Sequence, residues 1–94
     1  MSGERWRDAF LTPHAATEAQ RRGISLELVR QVLAAPEQEF EIRPGRVVLQ
    51  ARISMGDPGK IYLLRVFVDV DRQPAEVVTV YRTSKVEKYW RSAS

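Results

Sequence analysis

The chain has 94 residues, a formal net charge of +3 and a hydrophobic content of 44%, the profile of one globular domain near the small end of what buries its own core. With no cysteine and a single histidine, the composition argues against a disulfide framework, a thiolate zinc site or a histidine-based metal centre, and no cofactor is expected. No apolar run is long enough to span a bilayer, and the N-terminal MSGERWRDAF lacks a signal-peptide pattern, so a cytoplasmic protein away from membranes is expected. Residues 1–94 read as one domain, with 1–11 as a flexible arm from which Trp6 and Phe10 could pack on the body as a short turn.

The charge is unevenly placed. Residues 1–36 sum to +1 and residues 37–79 to −1, whereas residues 80–94 carry Arg82, Lys85, Lys88 and Arg91 against Glu87 alone. A basic C-terminal patch suits nucleic acid, an acidic protein or anionic lipid.

The first predicted helix is LTPHAATEAQRRG, with Thr12 as N-cap, Pro13 in the first turn and Gly23 just past the end. Ser25 caps a second helix, in which Leu28, Val29, Val32 and Leu33 recur at helical spacing and Pro36 ends the run. The two helices form a predicted hairpin with its corner at Gly23-Ile24.

After Pro36 the period becomes alternating. EFEI is a short strand, followed by a Pro44-Gly45 turn. RVVLQARI places Val47, Leu49, Ala51 and Ile53 on one face and Arg46, Val48, Gln50 and Arg52 on the other. KIYLLRVFVDV is apolar on both faces, as in a central strand covered on each side. EVVTVY is the last strand, with alternation placing Val78, Val80 and Arg82 opposite Val77, Thr79, Tyr81 and Thr83. Ser84 and Glu87 have capping-box spacing for a short C-terminal helix. The expected class is α+β: an N-terminal helical hairpin, an antiparallel sheet of three to four strands and a short C-terminal helix.

Three places carry chemistry. His14, Glu18 and Arg21 or Arg22 align on one face of the first helix, where a carboxylate would tune the imidazole as an acid or base; the plainer reading is a Glu18–Arg22 pair on a solvated face. Arg65 lies in the most hydrophobic strand, so it must snorkel, pair or face a ligand, with Glu39 or Glu41 across the sheet as the candidate partners. Tyr81, Thr83 and Lys85, with Arg82 nearby, converge where the last strand enters the helix, a place suited to a phosphate. Tyr89 and Trp90 behind them would either stack on bases or close the core.

Two segments, LTPHAATEAQRRGISLELVRQVLAAP and VVTVYRTSKVEKYW, resemble the opening and closing parts of a family of small bacterial domains of unknown function related to BrnT-type and RelE/ParE-type toxins. The resemblance falls on His14, Arg22, Gly23, Ile24, Thr79, Tyr81 and Lys85. It implies a RelE/ParE-like fold and a toxin-like, metal-independent endoribonuclease of a toxin–antitoxin system. In that reading His14, Tyr81, Lys85 and Arg65 are catalytic, while Arg22, Arg82, Thr83 and Lys88 hold RNA phosphates. The partners would be RNA and an antitoxin protein. Relatives often carry an arginine four residues after the histidine. Glu18 stands there in this chain and favours the alternative, a non-catalytic protein- or nucleic-acid-binding module of the same fold.

Overall fold

The computed structural model describes residues 6–92. The elements follow in the order β1 (Phe10–Leu11), α1 (Pro13–Arg21), α2 (Leu26–Ala34), β2 (Gln38–Arg43), β3 (Arg46–Met55), β4 (Lys60–Asp69), β5 (Glu76–Thr83) and α3 (Val86–Tyr89). The strands make one five-stranded sheet in the order β1-β5-β4-β3-β2. The class is α+β, as the periods indicate, with a mixed rather than purely antiparallel sheet. The added strand is β1, which pairs in parallel with β5 through Phe10↔Glu76 and Leu11↔Val77. Two residues are too few to show an alternating period, so this strand has no sequence signal. Leu11 is thus part of the sheet and Trp6 packs against the core, while Phe10 is exposed. Residues 1–5 of the expected arm lie outside the described residues.

Both helix starts follow from their caps. Thr12 Oγ1 accepts from the Ala15 amide at 3.1 Å and donates to the Val77 carbonyl at 2.9 Å, so one hydroxyl starts α1 and ties it to β5. Ser25 Oγ accepts from the Leu28 amide at 3.1 Å. Gly23, at φ 69°, turns the chain between the helices in a conformation that costs other residues about 1–2 kcal/mol.

The helices do not form the expected hairpin packed on itself. α1 lies over β5, and α2 over β3 and β4, so each uses the sheet as its apolar partner. Small Ala15 and Ala19 let α1 approach closely, while Val29, Val32 and Leu33 form the buried stripe of α2. Below them lie Val47, Leu49 and Ala51 of β3, Leu64, Val66 and Val68 of β4, and Val77 and Val80 of β5. Burying each larger aliphatic side chain contributes roughly 1.5–3 kcal/mol, and this helix-side layer is the main core.

Strict alternation breaks twice, in β2, where the register with β3 shifts between Glu41 and Arg43, and in β5. Phe67 pairs with Thr79 but Val68 pairs with Val77, so Val78 is an extra residue in a β-bulge. The bulge moves Val77 to the helix side with Val80, correcting the expectation that Val77 shares a face with Tyr81.

The second face carries Val48, Gln50 and Arg52 of β3, with Leu63, Arg65 and Phe67 of β4 opposite them in register. Val48, Gln50 and Leu63 are fully buried although no long helix covers them. The chain from α3 to Arg91 crosses this face instead. Gln50 Nε2 donates to the Tyr89 carbonyl at 3.1 Å, and the Gln38 side-chain amide pairs with both backbone groups of Arg91, at 2.6 and 3.1 Å.

The expected capping box at Ser84 is absent. The N-cap position is Lys85 and no side chain caps α3. Thr83 Oγ1 takes the Lys85 amide instead, at 3.0 Å, closing a local turn that competes with helical capping.

Candidate functional site

The middle of the second face holds a buried cation. Gln50, Arg65 and Tyr81 stand side by side on β3, β4 and β5. Arg65 is only 8% exposed. Its Nε donates to Gln50 Oε1 at 2.9 Å and its Nη1 to the Tyr81 hydroxyl at 2.9 Å. Its remaining surface is lined by rings: Phe67 at 5.3 Å, Tyr81 at 5.7 Å and Tyr89 at 4.5 Å from the guanidinium carbon. Among the described residues no carboxylate pairs with it. Glu39 and Glu41, the expected partners, are not its neighbours. The register aligns them with Leu49 and Val47, residues that face the helices, and Glu39 accepts from Trp6 Nε1 at 3.1 Å.

A guanidinium held by an amide, a phenol and aromatic faces has two of its donors hydrogen-bonded but its charge unneutralised. An anion reaching this face would complete the pairing. The rings also pack on one another, with Phe67 and Tyr81 stacked at 5.9 Å and Tyr89 edge-on to Tyr81 at 6.2 Å. Hydrogen bonding from Tyr81, then the positive charge of Lys88 and more weakly that of Arg65, holds the Tyr89 phenol below the usual tyrosine range against the opposing effect of burial. The Lys88 ammonium lies 5.4 Å from the Tyr89 ring.

The sheet divides the residues nominated from sequence. Arg65, Tyr81 and Lys88 come together with Tyr89 on the second face, with Thr83 and Lys85 at its rim. His14 and Arg22 belong to the α1 side. His14 is exposed at the start of α1, and Arg22 is held by Glu18 at 3.0 Å. Glu18 also takes Arg21 at 3.0 Å, and the Arg22 hydrogen bond is the first cause of its lowered pKa. This solvated trio is the plain reading of that helix face. Arg82 also points to the helix side, with Nη1 3.3 Å from Met55 Sδ and its guanidinium 5.4 Å over the Tyr62 ring. The expected acid–base pairing of His14 with Tyr81 is therefore not formed, because α1 packs on β5 from the face opposite the Tyr81 ring. Gln50 and Tyr89 are the site residues that sequence reasoning missed as partners of Arg65. The signal was present for Gln50, a polar residue inside the apolar stretch from Val47 to Ala51 of β3.

A second concavity lies on the same face. Arg52, Ile61, Val86, Glu87, Trp90 and Ser92 line a cleft of about 400 Å³. The Arg52 guanidinium carbon sits over the Trp90 ring, 4.2 Å from its centroid, and the side chain is clamped by Glu37 through contacts of 3.1 and 2.9 Å. Among the described residues, no group of three or more His, Cys, Asp or Glu side chains is placed to hold a metal ion. No helix among them is long and apolar enough to cross a membrane.

Residues 11–82, from β1 to the end of β5, match the model of a domain of unknown function, DUF4258. No curated protein and no solved structure matches the chain. The match covers both the helices and the strands that frame Arg65 and Tyr81, leaving α3 and Tyr89 outside its span. The chain belongs to the DUF4258 family.

Proposed function

We propose that the second face of the sheet is the working surface of a toxin-like, metal-independent endoribonuclease of a toxin–antitoxin system, akin to BrnT-type and RelE/ParE-type toxins. The observation that carries this reading is the carboxylate-free Arg65 guanidinium in contact with two phenols, one of them with lowered pKa. RNA cleavage of this kind needs a base for the 2′-hydroxyl, an acid for the leaving 5′-oxygen and cations around the charged phosphorane. Tyr89, as phenolate, takes the 2′-proton, and the 2′-oxygen attacks the adjacent phosphorus. Tyr81 protonates the departing 5′-oxygen, leaving a 2′,3′-cyclic phosphate and a 5′-hydroxyl. Arg65 and Lys88 offset the negative charge, with Thr83 and Lys85 placed to hold the flanking backbone. In this arrangement His14, Arg22 and Arg82 stand outside the chemistry.

A second reading, a non-catalytic module that docks an acidic antitoxin-like partner, is favoured by one feature. Tyr89 covers Arg65, so a phosphate would have to displace the ring to reach the guanidinium fully.

Induced expression in a bacterial host separates the two. Wild type, Tyr89→Phe and His14→Ala would be compared at equal soluble levels for growth and for total RNA integrity. Arrest with RNA loss in wild type and His14→Ala, relieved by Tyr89→Phe, supports the nuclease. Intact RNA, with salt-dependent RNA binding by the purified protein, supports a non-catalytic nucleic-acid-binding module. Intact RNA and no RNA binding would remove the nucleic-acid reading altogether and leave the docking of an acidic protein.

A further inference from the structure

We infer that the Trp90 cleft is a nucleobase subsite selective for guanine, which deepens the nuclease reading by naming the base beside the phosphate at Arg65. The cleft and Arg65 share the second face: Arg52 is two residues along β3 from Gln50, a separation of about 7 Å. At about 400 Å³ it falls toward the small end of ligand pockets, which run roughly 300–1,000 Å³, as fits one base rather than an extended ligand.

Its walls suit a flat heteroaromatic ring. The Arg52 guanidinium lies over the Trp90 ring in a cation–π contact, and Ile61, an apolar side chain 52% exposed, lines the cleft with them. Bases stack on such surfaces with little regard to identity. The Arg52–Trp90 contact is fixed before any ligand arrives, because Glu37 grips Arg52 through two side-chain bonds and also accepts the Arg52 backbone amide at 2.7 Å.

Selectivity comes from charge. Glu37 already neutralises Arg52, the one cation lining the cleft among the described residues, and this pairing holds the Glu37 carboxyl below the usual carboxylate range. Glu87, the other carboxylate, makes no ion pair among the described residues. It lines the cleft and, ionised, carries two acceptor oxygens. Of the RNA bases only guanine offers two adjacent donors on one edge, N1–H and the 2-amino group, matching a carboxylate in a two-point contact. Adenine and cytosine place a ring acceptor beside their amino group, and uracil flanks its single N–H with carbonyls, so each sets a lone pair against the carboxylate. The Ser92 hydroxyl, which can donate or accept, adds no preference of its own.

The test uses the full chain with Trp6→Phe, so that Trp90 is the sole indole reporter, and titrates it with GMP, IMP, AMP, CMP and UMP. Quenching by GMP at millimolar concentration is expected, about tenfold tighter than by AMP, CMP or UMP, with IMP, which lacks the 2-amino donor, in between. Glu87→Gln, with its fold checked by circular dichroism, should abolish the preference while leaving weak quenching by all five. Equal affinity for all nucleotides, absence of quenching by GMP, or a guanine preference that survives Glu87→Gln would overturn the proposal. The titration involves no cleavage, so it is read independently of the nuclease reading, which fails on intact RNA in the expression experiment.

Discussion

Arg65 holds its guanidinium carbon 4.5 Å from the centre of the Tyr89 ring, so this buried cation of the second face is roofed by a phenol whose ionisation it helps to favour. If Tyr89 is the base, cleavage should rise with pH along a limb set below the ordinary tyrosine value of about 10. Tyr89→Phe should lower the rate about 10²–10⁴-fold and flatten that limb while RNA binding persists. A pH–rate profile on a short RNA checks both effects.

Removing the cation tests what it does for the fold. Arg65→Ala leaves the Gln50 carbonyl and the Tyr81 hydroxyl without their donor and opens space beneath Tyr89. A loss of about 3 kcal/mol is expected in urea unfolding. Arg65→Met restores most of the volume without the hydrogen bonds, and should recover the packing share, leaving a loss of about 1–2 kcal/mol.

The far end of the sheet offers an acid-stability test. Arg46 binds Asp69 at 2.6 and 3.1 Å, and Arg72 adds a longer contact at 3.7 Å. The Arg46 hydrogen bonds, opposed by burial and aided by the charges of Arg46, Arg72 and Arg43, hold the Asp69 carboxyl below its usual range. A depressed folded-state pKa gives stability that is present above the unfolded value, about 3.9, and is lost as pH falls through the folded one. Asp69→Asn should therefore cost about 2 kcal/mol at pH 7 and less below pH 3. Melting temperatures of both proteins across that range should converge at the acid end.

Gly45 stands at φ 83° in the β2–β3 turn, and a Cβ there would lie 2.8 Å from Asp71 Oδ2. The Asp71 side chain can swing away, so the backbone conformation carries most of the penalty. Gly45→Ala should lose about 1–2 kcal/mol, and Gly45→Asn less, since asparagine tolerates this region better. Equal losses for the two would show that contact with Asp71 dominates.

Most of the elements were legible because their signals are local. Thr12, Ser25, Gly23 and Gly45 announce helix starts and turns, and β3 and β4 show their two faces without a break. What escaped depended on partners distant in sequence. The two residues of β1 become a strand only because β5 offers an edge, and Ser84-x-x-Glu87 fails as a capping box because Thr83 reaches the Lys85 amide first. The site was half legible. Arg65 and Tyr81 stand out by type, but alternation cannot say which face of β5 meets α1, and that decided against pairing His14 with Tyr81. Tyr89 was noticed only as an aromatic, since its place above Arg65 comes from the return of the chain across the sheet.

The extra residue at Val78 gives β5 an unusual tolerance. Removing almost any other residue of this strand would turn its remaining side chains inside out, burying Thr79 and Tyr81 and expelling Val80. Removing Val78 would instead join Val77 directly to Thr79 as neighbours of Val68 and Phe67, leaving both faces as they are. Only the local coiling that a bulge imparts would be lost. A single excision at that point would thus separate the demands of folding from those of alignment, leaving the hydrophobic layer whole while relaxing the angle at which Tyr81 is presented to Arg65.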